Sequence, residues 1–305
     1  MDENRLVLLK RTYRPIPDSD AYYPATSHEQ ALAGAAAALA EDEGLALITG
    51  GPGLGKTLLG QCFLDRQGAN AASAFLLTTH FRDPAALLQA LLFDFELPYE
   101  GRSEEALRLA LTEHLLKMYE EGRHPVLVID EAQLLTPAVL EELRLLGNLE
   151  GRKGKVVKVV LLGLPSILET LQLPELESFQ QRLATRIELR PFDQHEATDY
   201  LLHQARRVCT QPEELITDEA LQIIAQSTQG IPRLLNRTMQ KALSLAVAGG
   251  ADVLDAEVAL EAVAALGLAQ EEPVPFGLND GQVDVASARD VNRSHRLFAG
   301  PRRII

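Results

Sequence analysis

Short apolar runs in this chain alternate with longer segments in which leucines and alanines recur at helical spacing. Leu45–Thr49, Ala74–Thr78, Val126–Ile129, Val156–Leu162 and Thr185–Leu189 are brief and nearly continuous in apolar residues. That pattern predicts strands buried on both faces of a parallel sheet. Between them, Leu58, Leu59, Cys62, Phe63 and Leu64 form one apolar helical stripe, and Leu107, Leu111, Leu115 and Met118 form another, capped by Ser103-Glu104-Glu105. Ser27-His28-Glu29-Gln30 has the form of a capping box ahead of an Ala-rich helix, Ala31–Ala40. Thr136-Pro137 opens a further helix with proline at its first position. Strands alternating with helices predict a doubly wound α/β domain over residues 27–208. Beyond 208 the spacing is wholly helical, at 218–227, 232–248 and 255–265, which predicts a small all-α lid domain over 209–267. Residues 1–26 read as an irregular N-terminal arm. Residues 268–305, where Pro, Gly, Asn and Asp accumulate, read as a disordered tail.

Composition narrows the classes. Hydrophobic residues make up 46% of the 305, yet no apolar stretch approaches the roughly 20 residues that span a bilayer. Leu6–Leu9, flanked by charge, is too brief for a signal peptide. Two cysteines, Cys62 and Cys209, are too few for a disulfide framework and point to a reducing cytoplasm. The seven histidines make no metal-ligand spacing with them. A net charge of −14 argues against a broadly basic nucleic-acid binder.

One motif adds chemistry to this frame. Gly50-Gly51-Pro52-Gly53-Leu54-Gly55-Lys56-Thr57 directly follows the first strand-like run, and Leu58 starts the helical stripe behind it. It fits G-x-x-x-x-G-K-[ST]. The glycines let successive N–H groups turn inward around phosphates, and the helix start favours an anion. Lys56 is placed to reach the β- and γ-phosphates, and Thr57 to offer its hydroxyl to Mg²⁺. Asp130-Glu131 closes the third strand, which positions Asp130 to hold Mg²⁺ and Glu131 to accept a proton from the attacking water. A nucleoside triphosphate site is therefore expected.

Two arginine positions extend it. Gln181-Arg182-Leu183-Ala184-Thr185-Arg186 ends a predicted helix before the fifth strand. In an oligomeric ring, Arg182 there, or Arg186 as second choice, could enter a neighbour's site and neutralise transition-state charge. In Gly230-Ile231-Pro232-Arg233, Pro232 sets the first helical turn and aims Arg233 toward the nucleotide.

The glycine-rich loop, VLVIDEAQ at Val126–Gln133, ELRLLGNLE at Glu142–Glu150 and GIPRLLN at Gly230–Asn236 together resemble the general secretion pathway protein A (ExeA-like) ATPases. That family belongs to the AAA+ superfamily and is related to ATPases that regulate some transposons. The resemblance covers roughly residues 8–265. It implies an ATP–Mg²⁺ enzyme with the AAA+ fold that assembles into homo-oligomeric rings, with Lys56, Thr57, Asp130, Glu131, Arg182 and Arg233 in the roles above. Where the family shows Gly-Gln-Pro after the fourth strand, this chain has Gly163-Leu164-Pro165, so a polar sensor of the attacking water is missing at Leu164. Secretion relatives often continue into a membrane span and a peptidoglycan-binding region. Neither lies within these 305 residues, which weakens any carry-over of a cell-envelope role.

Three functions follow as expectations. The first is an ATPase that drives or regulates assembly of a protein partner complex. The second is a nucleotide-gated binding module with slow hydrolysis, consistent with the loss at Leu164. The third is a DNA-associated regulator of the transposition type, resting on Arg152, Lys153, Lys155 and Lys158. A solvated turn is the simpler account of that basic loop in an acidic protein. Arg293, Arg296, Arg302 and Arg303 add a weakly basic stretch to the tail.

Overall fold

Five strands build one sheet, each of them parallel to its neighbours. They are β1 (Leu45–Gly50), β2 (Ala71–Leu76), β3 (His124–Ile129), β6 (Lys158–Gly163) and β7 (Leu183–Leu189), in spatial order β2-β3-β6-β1-β7. A two-stranded hairpin, β4 (Glu150–Gly151) with β5 (Gly154–Lys155), stands apart. The computed structural model describes residues 5–14, 17–40, 44–68, 71–77, 80–152 and 154–268. The described residues form one compact unit; the tail from Gln270, with Arg293, Arg296, Arg302 and Arg303, lies outside the described residues, as do Thr78 and Lys153.

The apolar runs are continuous because both sheet faces are covered. In β1, Leu45 and Leu47 enter one core while Ala46 and Ile48 enter the other, as the two-residue period of a strand requires. The first core also holds Leu127, Ile129, Val159 and Leu161 and is closed by α4 (Pro84–Asp94), α5 (Glu104–Glu120), α6 (Pro137–Gly147) and α7 (Ile167–Leu171). The second holds Val126, Val128, Val160 and Leu162 and is closed by α2 (Thr26–Ala40) and α3 (Lys56–Arg66). The doubly wound α/β architecture expected from the sequence is present. Thr136 caps α6 by accepting the Val139 N–H, with Pro137 at the first turn. In the first core, Arg108 of α5 holds the buried Glu142 of α6 through Nε and Nη2, both at 2.8 Å.

A third core is purely helical. It gathers Leu6 and Leu9 of α1 (Arg5–Thr12) with α9 (Gln194–Arg206), α10 (Asp218–Ser227), α11 (Pro232–Gly249) and α12 (Ala256–Ala265). The arm is thus not irregular. Leu6 and Leu9 sit one helical turn apart and bury against α11, and the fully buried Tyr13 donates its hydroxyl to the Leu201 carbonyl at 2.7 Å.

The predicted capping box also gives way. α2 begins at Thr26, and Ser27 Oγ instead accepts the N–H of Arg190 at 2.9 Å. The capping duty passes to Glu196. It closes a true box with Asp193 at the start of α9, and its other oxygen accepts the Thr26 N–H at 2.8 Å. Four strands start away from their predicted limits, β2 at Ala71, β3 at His124, β6 at Lys158 and β7 at Leu183, because β2 and β3 pair with each other from their first residues, β6 pairs with β3, and β7 pairs with β1. α8 (Glu177–Arg182) therefore ends at Arg182, and Arg186 is a strand residue opposite Leu47 rather than part of the helix end.

Candidate functional site

The loop between β1 and α3 turns through two glycines with positive φ, Gly53 at 82° and Gly55 at 85°, a region that L side chains rarely adopt. It delivers Lys56 as the first residue of α3. The Lys56 ammonium is buried and donates to the carbonyls of Gly50 and Gly51, each at 3.0 Å. Burial pushes its pKa down, opposed by the nearby charges of Glu131 and Asp130 and reinforced by Arg233. One residue on, Thr57 Oγ1 donates to Asp130 Oδ2 at 2.5 Å. Asp130 is buried, and its other oxygen accepts the N–H of Glu131 at 2.8 Å.

Glu131 itself adopts a left-handed backbone, φ 50° and ψ 38°. A non-glycine residue there costs about 1–3 kcal/mol, a cost found mostly at functional sites. Gln133 supports the turn from two residues on. Its amide donates from Nε2 to Glu131 Oε2 at 2.6 Å and accepts the Leu164 N–H on Oε1 at 2.9 Å. Thus the ends of β1, β3 and β6 meet at one point, where four of the residues singled out from sequence stand together.

The helical layer closes the site from the opposite side. The N–H of Arg233, at the start of α11, donates to the Gly53 carbonyl at 3.2 Å. A Cβ on Gly53 would stand 2.9 Å from the Arg233 Cβ, so helix and loop are in direct contact. His28 of α2 is buried, and its Nε2 lies 2.7 Å from the Leu54 carbonyl. That oxygen can only accept, so the ring carries its proton on Nε2. Burial holds His28 below the usual histidine pKa. The cleft so enclosed measures about 610 Å³ and is lined by the loop residues Pro52–Leu58, by Glu131, Leu164 and Arg233, and by Tyr22 and Gln204. Gly50, Gly51, Thr57 and Leu58 complete the glycine-rich segment as read from sequence, with Gly50 and Gly51 acting through their carbonyls on Lys56.

Gly230 fixes the entry to α11. Its φ is +68°, its carbonyl accepts the Phe192 N–H at 3.0 Å, and an added Cβ would fall 1.9 Å from the Phe192 carbonyl oxygen. Gly230→Ala is therefore expected to destabilise the protein by about 3 kcal/mol or more, from left-handed strain plus overpacking. Chemical denaturation of the variant measures it; an unchanged midpoint would show that the segment yields at no cost.

Arg182 stands elsewhere. It is exposed at the end of α8, and the next residue, Leu183, pairs with Leu45 at the start of β1, whereas the glycine-rich loop leaves the far end of β1. Six strand residues, roughly 17–20 Å, separate the two ends. Arg186 is likewise exposed and outside the cleft lining. In the hairpin, Lys155 pairs with Glu150 at 2.5 Å, and Arg152 is exposed.

The comparisons with known proteins agree with this geometry. Residues 39–171 match the AAA domain family, which brackets the glycine-rich loop and Asp130-Glu131. Over 267 residues it is 33% identical to general secretion pathway protein A of Aeromonas hydrophila, covering 86% of this chain and 48% of that protein, so it spans about half the relative's length. Among solved structures, Cdc6p of Pyrobaculum aerophilum superposes with a TM-score of 0.68 at 20% identity, over 84% of this chain and 70% of that one. The ORC2 protein of Aeropyrum pernix, in ADPNP–ADP complexes, gives 0.62 at 17% identity, over 83% and 71%. The chain thus has the AAA+ P-loop fold, and in sequence it is similar to the secretion protein. Among the described residues, no helix is long and apolar enough to cross a membrane, and no cluster of three or more His, Cys, Asp or Glu could hold a metal.

His28 and Gln133 were not assigned functional roles from sequence. His28 sits inside the apparent capping box, where a helix-start reading absorbs it. Gln133 lies in the VLVIDEAQ segment, two residues after Glu131, and that spacing was the available signal.

Proposed function

We propose that this chain binds ATP with Mg²⁺ in the cleft between the sheet and the helical layer. It hydrolyses ATP to ADP and phosphate within a homo-oligomeric ring, and so drives or regulates assembly of a protein partner complex. The observation that carries the reading is the convergence of Lys56, Thr57, Asp130 and Glu131 at adjoining strand ends. Lys56 pairs with the β- and γ-phosphates, toward which the loop N–H groups and the start of α3 also face. Glu131 takes the proton of the attacking water. The hydroxyl of Thr57 and the carboxylate of Asp130, 2.5 Å apart, are hard oxygen donors and fit Mg²⁺, which takes one or two protein oxygens beside phosphates and water. An ion held there would supply positive charge against the charge developing on the phosphates. Arg233, docked on Gly53, reports the state of the γ-phosphate to the helical layer.

In this reading the sheet with the helices that cover it is the nucleotide-binding domain, and the lid is the helical core, which takes in α9 (Gln194–Arg206) ahead of the expected start at 209, with α1 packed on it. The secretion protein's name supports a secretion-type partner, and two unpaired cysteines fit a cytoplasmic setting. A second reading, a nucleotide-gated module with slow hydrolysis, has one observation in its favour, the apolar side chain at Leu164.

Arg182, exposed and distant from its own loop, acts on the neighbouring subunit's nucleotide. Arginine fingers contribute about 10³–10⁵ in rate. Arg182→Ala is expected to bind ATP and barely turn it over. Mixed with Lys56→Ala, it should regain part of the parent's phosphate release, since some rings place an intact Arg182 beside an intact loop. A mixture no more active than either variant, with mixed assembly confirmed, would count against a trans role and shift the assignment to Arg186. Steady-state phosphate release from ATP by the parent chain, with and without Mg²⁺ and candidate partners, tests the ATPase reading itself; a rate at background would reject it.

A further inference from the structure

We infer that Gln133 is the positioning residue of the hydrolytic site, holding the Glu131 carboxylate against the end of β6 through its amide. The inference deepens the ATPase reading and rests on it. Gln133 lies in the short 3₁₀ turn Ala132–Leu134 that follows Glu131, half-buried between the ends of β3 and β6. Its two hydrogen bonds join those ends. Leu164 N–H reaches Oε1 at 2.9 Å, and Nε2 reaches Glu131 Oε2 at 2.6 Å.

The chemistry fixes the orientation of that amide. A backbone N–H only donates, so the oxygen of Gln133 must face Leu164 and the nitrogen must face Glu131. An ionised carboxylate only accepts, so the second contact is satisfied in the same orientation. A flipped amide would lose both bonds.

Space around the link is tight. A Cβ on Gly163 would stand 3.2 Å from Gln133 Oε1, and Gly163 pairs with Thr49 at the head of the glycine-rich loop. The carboxylate of Glu131 is therefore tied, through one side chain, to the strand that flanks the phosphate-binding segment. Glu131 has several side-chain torsions and a strained backbone, and losing the Gln133 bond would widen the range of positions its carboxylate samples. Misplacement of a reacting group by about 1 Å costs on the order of 10²-fold in rate. Gln133 acts on Glu131 and on the end of β6, not on ATP, so its loss should change turnover and leave affinity alone.

Two substitutions separate positioning from plain structural support. Gln133→Met keeps the volume and removes both hydrogen bonds. Gln133→Glu keeps an acceptor for the Leu164 N–H but removes the donor to Glu131 and adds a like charge beside it. ATP affinity, KM and kcat are measured for the parent and both variants, with thermal midpoints as the check on folding. Gln133→Met is expected to lower kcat about 10- to 100-fold with KM and ATP affinity unchanged, the range typical of outer partners that orient an active group. Gln133→Glu should be at least as slow, although its bond to β6 survives. If Gln133→Glu turns over at the parent rate, Gln133 only braces β6 and the inference is overturned. It is overturned equally if Gln133→Met keeps the parent kcat, or loses ATP affinity in step with turnover. Should Gln133→Met not fold, Gln133→Glu decides alone. A parent chain that binds ATP without hydrolysing it would overturn the ATPase reading and this inference together, an outcome distinct from the others because it appears before any substitution at 133.

Discussion

Glu131→Gln is expected to bind ATP as the parent does and to lose turnover. The amide has the shape of the carboxylate and leaves the left-handed turn, the Asp130 contact and the loop in place, but it cannot accept the proton of water. General-base assistance is worth about 10²–10⁴ in rate, so residual phosphate release should fall by at least two decades. The backbone contacts argue that the defect will be confined to chemistry: the Glu131 N–H, not its carboxylate, bonds Asp130 at 2.8 Å. The variant should also accumulate an ATP-loaded assembly, visible by size measurement in the presence of ATP. Hydrolysis at the parent rate would remove Glu131 from the role of base and leave water activation to another group.

The legible parts of the molecule are those written in local residue identity. The glycine-rich loop could be read because Gly, Lys and Thr at that spacing have few other uses, and because a strand-like run precedes it. β1, β3 and β6 were readable because burial on both faces leaves no polar alternation to confuse the pattern. Asp130 followed from its place at the end of one such strand. Other features depended on partners far along the chain. α1 has two apolar anchors, Leu6 and Leu9, and the helices that receive them come from residues 194–265, so eight residues carry too little periodicity alone. Ser27 looked like a cap because Gln30 follows at the right distance; the Arg190 N–H, 163 positions away, claimed its hydroxyl instead. The start of β7 was hidden for a similar reason, since Leu183-Ala184 suits a helix as well as a strand and only the pairing of Leu183 with Leu45 decides. Gln133 shows the same limit at the site. Its role depends on which strand end lies opposite, and the sheet order β3-β6-β1 supplies that.

The central claim is that ATP is held through Lys56, and equilibrium binding of ATP–Mg²⁺ to the parent chain and to Lys56→Ala tests it most directly. Lys56 is buried at the start of α3, beside Asp130 and Glu131, and its ammonium is the one cation of the loop itself. A hydrogen bond to a charged partner is worth about 1.5–3 kcal/mol, and Lys56 is placed to make bonds to two phosphates. Removing it should therefore weaken affinity by about 100-fold or more, beyond what the assay detects at ordinary concentrations. Saturable binding by the parent and none by Lys56→Ala is the predicted result. Undiminished affinity in the variant would contradict the assignment of the loop, and with it the account of the cleft as an ATP site.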